Sequence, residues 1–259
     1  PMSDLHTSTD DHVRLMEIRR PPLNFFDFTL IKDIADAVGA ADADPNIRAL
    51  VLAAEGKAFC AGADFSGRGT GDEVQAKGED PTQVLYREAT RIFRGTKPIV
   101  AAVQGAAIGG GLGLAVSADF RVGCPETRMA ANFTRLGFHP GFGLTVTLPE
   151  LVGKNAAELI FYTSRRLTGE EALQIGLLNK LVRQAEVRSA AMALAAEIAE
   201  NSPLGLVSTR ATMRAGLADR VAKATEHELA EQTRLRATED FKEGVKATSE
   251  RRVPAFQGR

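Results

Sequence analysis

The sequence predicts an α/β fold, because segments with strand character alternate along the chain with segments of helical character. Short apolar runs of strand length occupy residues 49–53 and 99–103. The apolar spacing of an amphipathic helix precedes each run, at residues 28–43 and 82–94. The second run leads directly into a glycine-rich turn at residues 105–111. With 259 residues and 44% hydrophobic content, the chain can bury a large core as one domain or one domain with an appendage.

The first unit of the fold is predicted over residues 12–64. Residues 12–19 alternate in strand fashion, and the proline-containing segment 20–24 forms a turn. A helix at residues 28–43 leads to the buried strand at residues 49–53. A loop of small residues leaves this strand at residues 55–64.

The second unit repeats the first in outline. A polar, glycine-rich segment at residues 67–81 leads to the helix at residues 82–94, the strand at residues 99–103 and the glycine turn. A helix begins at that turn. Later segments have mostly helical patterns.

The chain divides into a core at residues 2–201 and a C-terminal helical region at residues 202–259. From Ser202 to Pro254 the pattern is helical almost throughout, with charged residues spaced to face solvent. We expect this region to form subunit contacts. A helix packed on its own domain gives the same pattern, so both interpretations stay open.

The run from Gly105 to Ala115 is the most informative stretch. Glycines at the start of a helix let a ligand approach bare backbone N–H groups. These donors lie where the helix dipole is positive, so a peptide N–H near Gly110 can hold a negative oxygen without a charged side chain. The turn therefore predicts an oxyanion contact.

Composition and charge exclude several function classes. The formal net charge is -1 with basic and acidic residues interspersed, which argues against a nucleic-acid-binding surface. Cys60 and Cys124 are too few for a disulfide framework, and no secretory signal precedes the first strand, so we expect a cytoplasmic location. Residues 99–118 carry no charge, but five glycines make them too polar for a membrane span.

Three familiar motifs are incomplete in this sequence. The glycine turn lacks the third glycine of a dinucleotide fingerprint, because Leu114 and Val116 stand at the candidate places. No Gly-Lys pair is followed by Ser or Thr as in a phosphate-binding loop. His227 begins a partial zinc-protease motif, but Glu231 stands where the second histidine is required. We therefore predict no bound metal and no nucleotide triphosphate site.

Four motifs occur in order over nearly the whole chain. They are residues 57–64 (KAFCAGAD), residues 105–111 (GAAIGGG) with Ala118 and Asp119, residues 168–179 (TGEEALQIGLLN) and residues 238–244 (TEDFKEG). Together they closely resemble the enoyl-CoA hydratase/isomerase family, the crotonase superfamily. The agreement of all four is specific, whereas any one alone is weak.

The resemblance implies a crotonase-like spiral of ββα units whose C-terminal helical region borders the site of a neighbouring subunit. It also implies a homotrimer or a dimer of trimers. The ligand is an acyl-CoA thioester, so coenzyme A arrives as part of the substrate and no cofactor is bound permanently. Two backbone N–H groups polarise the thioester carbonyl, and by motif position these belong to Ala63 and Gly110.

The resemblance also implies a path for coenzyme A. Lys57 matches a lysine that meets the CoA phosphates, and Arg251 stands where the family places a basic residue that reaches a neighbour's CoA. Each is equally explained as a solvated surface charge. Further residues implied along the adenine and pantetheine path are Ala61, Asp64, Phe65 and Ser66.

The sequence departs from the family pattern where the catalytic carboxylates are expected. A hydratase of this family uses two glutamates, and their places hold Gly113 and Phe133. Neither residue can activate water or deliver a proton, so ordinary hydratase activity is doubtful. The aspartate that some relatives carry at the Gly141 place is also missing. We therefore expect a lyase-type or isomerase-type enzyme with a divergent acid or base.

His139 is the first candidate for that acid or base, because an unperturbed imidazole titrates near neutrality. A histidine that only packs within its turn is the competing interpretation. Tyr86 could donate a hydrogen bond, although a tyrosine with its hydroxyl at the surface is more common. Several acidic residues beside the variable segment are further candidates, although such charges are usually solvated: Asp72, Glu73, Glu79, Asp80 and Glu88.

Aromatic residues suggest the chemistry of the acyl group. Phe133, Phe138 and Phe142 would make the acyl end of the site apolar if they face inward, and core packing explains them equally well. The leading hypothesis is an enzyme that forms a thioester enolate. The alternatives are a catalytically inactive acyl-CoA-binding or assembly protein, and a CoA-independent β-diketone hydrolase.

Overall fold

The computed structural model of the chain describes residues 4–63 and 79–259. It confirms the α/β class. The strands are β1 Leu5–Asp10, β2 Val13–Ile18, β3 Ala49–Ala54, β4 Ile99–Val103, β5 Ala106–Ile108, β6 Phe120–Gly123, β7 Arg128–Ala130, β8 Leu167–Thr168 and β9 Lys180–Leu181. The helices are α1 Phe28–Ala43, α2 Pro81–Arg94, α3 Gly110–Ser117, α4 Leu144–Val152, α5 Lys154–Thr163, α6 Gly169–Gln174, α7 Val187–Ala199, α8 Pro203–Met213, α9 Leu217–Arg236 and α10 Glu239–Ser249.

The strands form two sheets that the chain visits in turn. The larger sheet has the order β1-β2-β3-β4-β6-β9, and all its pairs except β1 with β2 are parallel. The smaller sheet has the order β5-β7-β8. Because β4 and β6 belong to the larger sheet while β5 and β7 belong to the smaller one, successive turns of the chain add strands to both. This is the ββα spiral that the resemblance implies.

The centre of the larger sheet is buried on both faces, as strand β3 shows. Leu50 and Leu52 belong to the main hydrophobic core together with residues of α1. Val51 points to the other face, where it shares a second cluster with Ala191 and Ala195 of α7. Side chains of a strand alternate between the two faces of the sheet. A strand without polar residues therefore contributes apolar side chains to both hydrophobic clusters.

Local signals set the starts of the helices that border the site. Asp27 caps α1 by accepting a hydrogen bond from the Leu30 N–H, and α1 has the predicted bounds. Asp80 caps α2, whose first residue is Pro81. The two helices pack against each other.

β1 has no counterpart among the predicted elements. Five of its six residues are exposed, so the apolar alternation that marks a half-buried strand is missing. It pairs with β2 through the tight turn at Asp11, whose φ is 48°. The edge strand is therefore defined by its partner strand rather than by its own sequence.

The C-terminal region packs on the core of its own chain. α10 lies against the short turn Thr134–Leu136, and a Cβ added at Gly244 would lie 2.5 Å from the Leu136 carbonyl carbon. The interpretation in which this region packs on its own domain therefore describes the chain, and its subunit contacts stay a prediction. Within the two described ranges, no helix combines the length and apolar character needed to cross a membrane.

Candidate active site

The loop that leaves β3 runs beside β5, and β5 leads through Gly109 into α3. Cys60 forms an isolated parallel bridge with Ala107. The Cys60 N–H donates to the carbonyl oxygen of Ala106 at 2.9 Å, and the Ile108 N–H donates to that of Cys60 at 3.0 Å. These bonds bring residues 60–63 to the N-terminus of α3.

Two glycines allow this close approach. A Cβ at Gly111 would lie 2.0 Å from the Cys60 carbonyl oxygen, a distance that no side chain can adopt. Gly62 has a φ of 108°, in the region that favours glycine, and a Cβ there would lie 3.1 Å from the Ile108 carbonyl oxygen. The glycine turn is thus required for the packing of two backbones against each other.

The backbone N–H groups of Ala63 and Gly110 have no hydrogen-bond acceptor within the described ranges. Gly110 is the first residue of α3, so its N–H takes part in no intrahelical bond and lies at the positive end of the helix. At the bridge of Ala63 with Phe26, it is the Phe26 N–H that donates, to Gly62 O at 3.0 Å. Ala63 and Gly110 both line one cavity of about 580 Å³.

Aromatic rings form much of the wall of this cavity. The ring centroids of Phe133 and Phe138 are 5.8 Å apart, and Phe138 lies 5.2 Å from Phe241 of α10. A second pair, Phe26 and Phe142, has centroids 5.6 Å apart. All five line the cavity, which confirms the inward orientation considered for Phe133, Phe138 and Phe142.

Carboxylates are scarce in the wall. Among the residues that the structure describes, Asp27 is the one carboxylate that lines the cavity, and it already caps α1 and pairs with Arg20 at 2.9 Å. Phe133 contributes its ring where the family pattern expects a glutamate. A Cβ at Gly113, the other expected place, would lie 2.6 Å from the Phe142 Cβ, so Phe142 occupies the space of that side chain.

Tyr86 of α2 and Gln232 of α9 add polar atoms to the wall. The Tyr86 hydroxyl donates to Gln232 Oε1 at 2.9 Å, and Gln232 Nε2 donates to the His139 carbonyl oxygen at 3.0 Å. Burial raises the pKa of Tyr86, so the hydroxyl stays protonated at neutral pH. The expectation of a surface hydroxyl is wrong here, because Gln232 supplies a partner inside the protein.

Gly141 lies directly beside this pair. A Cβ at Gly141 would lie 2.0 Å from Tyr86 Oη and 2.5 Å from Gln232 Nε2. An aspartate at this position therefore has no room. The departure from the family pattern at residue 141 is matched by a hydroxyl and an amide that fill the same space.

His139 does not line the cavity in the described structure. Its Nδ1 lies 2.8 Å from the Pro140 carbonyl oxygen, and its ring meets that of His227 edge-on at 5.6 Å between centroids. Its own carbonyl holds Gln232 in place. His139 is thus one contact removed from the cavity, and its catalytic role stays a hypothesis.

Glu228 is a buried carboxylate that the sequence did not single out. It accepts hydrogen bonds from the Gly143 N–H at 2.8 Å and from the N–H and hydroxyl of Thr145 at 3.1 and 2.6 Å. Burial raises the pKa of Glu228, and these hydrogen bonds oppose the shift. Glu228 thereby ties the turn that carries Phe142 to α9, one helical turn before Gln232.

The residues predicted along the coenzyme path are dispersed. Ala61 lines the cavity, whereas Lys57 and Arg251 are exposed and are not part of its wall. Arg251 follows the end of α10 with a φ of 55°. Three further predicted residues lie outside the described ranges: Asp64, Phe65 and Ser66.

The acidic candidates near the variable segment have other partners where they are described. Asp80 caps α2. Glu79 pairs with Arg87 at 3.3 Å, and Glu88 pairs with Arg91. Asp72 and Glu73 lie outside the described ranges. None of the three described acids lines the cavity.

Known proteins of one family match the chain over its whole length. The family model described as enoyl-CoA hydratase/isomerase matches residues 8–259. The Bacillus subtilis protein YngF is 32% identical over 260 residues, which cover 99% of this chain and 98% of that protein. The crotonyl-CoA hydratase of Syntrophomonas wolfei is 31% identical over 250 residues, which cover 95% of each protein.

Solved structures share the fold. An enoyl-CoA hydratase/isomerase from Pseudoalteromonas atlantica matches with a TM-score of 0.87 at 28% identity, covering 98% of this chain and 100% of that one. An enoyl-CoA hydratase from Mycobacterium avium subsp. paratuberculosis matches with a TM-score of 0.84 at 27% identity, covering 99% and 100%. Together with the four ordered motifs and the ββα spiral, these matches show that the chain belongs to the enoyl-CoA hydratase/isomerase family of the crotonase superfamily.

Proposed function

We propose that this chain is an acyl-CoA-processing enzyme that binds a thioester with its carbonyl oxygen at the N–H groups of Ala63 and Gly110. The observation that carries the proposal is that both amides lack an acceptor in the described chain and border the same cavity. Family membership supports the substrate class, since the Syntrophomonas wolfei relative is named for crotonyl-CoA. Coenzyme A is then part of the substrate, and no permanently bound cofactor is required.

The two amides would stabilise the enolate that forms when a proton leaves the α-carbon. As negative charge grows on the thioester oxygen, preorganised N–H donors strengthen their hydrogen bonds without reorganising. The positive end of α3 adds to this effect at Gly110. Removal of one such donor typically slows the reaction by about 10² to 10³.

The acid and base of the reaction differ from those of an ordinary hydratase in this proposal. Gly113 and Phe133 can neither activate water nor donate a proton, and Asp27 is committed to Arg20. His139 is the sequence-based candidate, and its ring contacts that of His227 and is not part of the described cavity wall. The protonated Tyr86 hydroxyl is a hydrogen-bond donor in the wall rather than a base.

A binding or assembly protein without turnover is the second candidate function. The scarcity of carboxylates in the described cavity wall favours it, because proton transfer needs a suitable group within reach of the acyl chain. The third candidate function is hydrolysis of a β-diketone without CoA.

The decisive experiment is exchange of the α-protons of butyryl-CoA in deuterated water, followed by NMR. This exchange reports enolate formation and needs no hydratase glutamate. We expect Ala63→Pro, which removes one N–H, to slow exchange by about 10² to 10³. Ala63→Ser keeps the N–H and is the matched control, so its rate should stay close to that of the wild type.

Each candidate function gives its own result. Butyryl-CoA binding without exchange supports the binding protein, and absence of binding supports the β-diketone hydrolase. Crotonyl-CoA hydration at about 10² to 10³ s⁻¹ would show that the assignment of Gly113 and Phe133 as non-catalytic replacements is wrong. His139→Ala should abolish exchange with binding retained if His139 transfers the proton.

A further inference from the structure

Arg236, the last residue of α9, brings a positive charge to the wall of the cavity. Its guanidinium carbon lies 5.7 Å from the centroid of the Phe138 ring, and Nη1 lies 3.4 Å from the Thr82 hydroxyl oxygen. An aromatic face and a neutral hydroxyl stabilise a cation but do not neutralise it. The residue is only partly exposed, so water screens its charge less than at an open surface.

The two carboxylates that follow Arg236 in sequence, and the one two residues before its partner Thr82, are engaged elsewhere. Asp80 accepts from the first N–H groups of α2. Glu239 pairs with Lys242 at 2.6 Å, and Asp240 accepts from two backbone N–H groups of the C-terminal tail. Within residues 4–63 and 79–259, Arg236 therefore has no carboxylate partner.

Two aromatic rings separate Arg236 from the glycine turn along one wall. A Cβ at Gly109 would lie 3.9 Å from Phe133 Cζ. The Phe133 ring packs next to the Phe138 ring at a tilt of 55°, and Phe138 lies under the Arg236 guanidinium. The cavity thus has backbone donors at one place, an apolar aromatic lining next to them, and a cation beyond the aromatic lining.

From this arrangement we propose that the cavity selects acyl-CoA thioesters whose acyl chain ends in a carboxylate, with Arg236 as the residue that binds this carboxylate. The methylene chain would pack on Phe133 and Phe138. The planar guanidinium offers paired N–H donors that match the two oxygens of a carboxylate. The inference rests on the proposed function, because it places the thioester at Ala63 and Gly110.

The test compares matched acyl-CoA pairs of equal chain length by calorimetry: butyryl with succinyl, hexanoyl with adipoyl, and octanoyl with suberoyl. The monomethyl ester of each dicarboxylic acyl-CoA is a neutral control of similar size. At the length that spans the cavity, we expect the carboxylate to bind about tenfold tighter, or more, than the methyl-terminated partner and the ester.

Variants test whether Arg236 causes the preference for a carboxylate-terminated acyl chain. Arg236→Met keeps an apolar stem over Phe138 and should abolish the preference, because the carboxylate-terminated thioester loses its partner and the methyl-terminated one does not. Arg236→Lys keeps the charge and should retain part of the preference. Arg234→Met removes an equal charge from the same helix, where Arg234 is exposed and paired with Glu231 at 2.6 Å, and should change neither affinity.

The outcomes separate this inference from the proposed function. If the wild type shows no preference at any length, or keeps it in Arg236→Met, the inference is wrong and the thioester site stands. If Arg236→Met weakens both members of each pair equally, Arg236 contacts the CoA part and the inference is again wrong. If no thioester binds, the proposed function and the inference fail together.

Discussion

The two ends of the cavity are built in different ways. The amide end consists of residues 60–63 and 106–111, where two backbones touch and the useful groups are peptide N–H donors. The helical end consists of Tyr86, Gln232 and Arg236, where the useful groups are side chains from α2 and α9. Tyr86 and Gln232 are 146 residues apart in sequence. The amide end depends on positions without side chains, whereas the helical end depends on contacts between side chains of two helices.

This difference predicts different responses to mutation. At the amide end, a Cβ added at Gly111 overlaps the carbonyl oxygen of Cys60, whose peptide groups are hydrogen-bonded to Ala106 and Ile108. At the helical end, an exchange of similar size keeps the packing and costs only hydrogen bonds or charge. In our proposals, the amide end stabilises the enolate and the helical end selects the acyl chain.

The largest effect is expected from Gly111→Ala at the amide end. The new Cβ would lie 2.0 Å from the Cys60 carbonyl oxygen, so the two segments must separate. We expect the free energy of unfolding to fall by about 3 kcal/mol or more and α-proton exchange to be lost. Urea unfolding and the exchange assay measure these effects.

Gly39→Ala is the matched control for that substitution. Gly39 lies within α1, and a Cβ there has no atom within 4 Å. Alanine in a helix interior should raise stability by about 0.5 to 1 kcal/mol. Equal effects of the two substitutions would contradict the assignment of Gly111 to a backbone contact.

An intermediate effect is expected from Tyr86→Phe at the helical end. The substitution removes the donor to Gln232 Oε1 and leaves that buried oxygen unsatisfied, which costs about 1 to 3 kcal/mol. Exchange of butyryl-CoA α-protons should fall far less than in Ala63→Pro, because the amide end is unchanged. Tyr162→Phe alters a tyrosine that is 73% exposed and should stay within about 0.5 kcal/mol of the wild type. Loss of exchange in Tyr86→Phe would instead place the hydroxyl in the chemistry.

The smallest effect is expected from Glu228→Gln, which tests the support of the helical end through its pH dependence. Burial raises the pKa of folded Glu228 above its ordinary value of 4.5, so the folded state holds this proton more tightly than the unfolded state. The resulting stabilisation is complete below pH 4.5 and is lost as pH rises through the raised pKa. Glutamine does not titrate, so the stability of the wild type relative to Glu228→Gln should decline over that window.

The control for the pH experiment is Glu226→Gln, an exposed residue of the same helix. Its stability should follow that of the wild type within about 0.5 kcal/mol across the range. Unfolding in urea at a series of pH values measures all three proteins. A wild type that gains stability relative to Glu228→Gln as pH rises would show that the hydrogen bonds from Gly143 and Thr145 outweigh burial.

Elements with strong local signals were predictable, and elements without them were not. α1 occupies residues 28–43 and β4 residues 99–103, as predicted from apolar spacing and from an uninterrupted apolar run. β8 and β9 have two residues each, too few for any periodicity, and exist because a neighbouring strand offers hydrogen bonds. The same reasoning explains why β1 was not predicted.

The site divides in the same way. Gly110 was predicted because a glycine-rich turn marks a place where a ligand can approach the backbone, and Ala63 was predicted from its motif position in the family resemblance. Gln232 and Arg236 carry no such mark: their spacing along α9 shows one helix face, but it does not show which groups that face meets. Glu228 lies on the same face, and its buried hydrogen bonds to Gly143 and Thr145 follow only from the packing of α9 on α4.

By itself the sequence determined the α/β class, the glycine turn at α3 and, through four ordered motifs, membership of the family, because each of these depends on residues that are neighbours along the chain. Only the tertiary structure decided how the expected acidic positions are filled, with Phe142 in the space of a side chain at Gly113 and the Tyr86–Gln232 pair in that of one at Gly141. It also decided that Arg236 borders the cavity. Such contacts join helices that are far apart in sequence, and their geometry is determined by close packing rather than by local conformational preference.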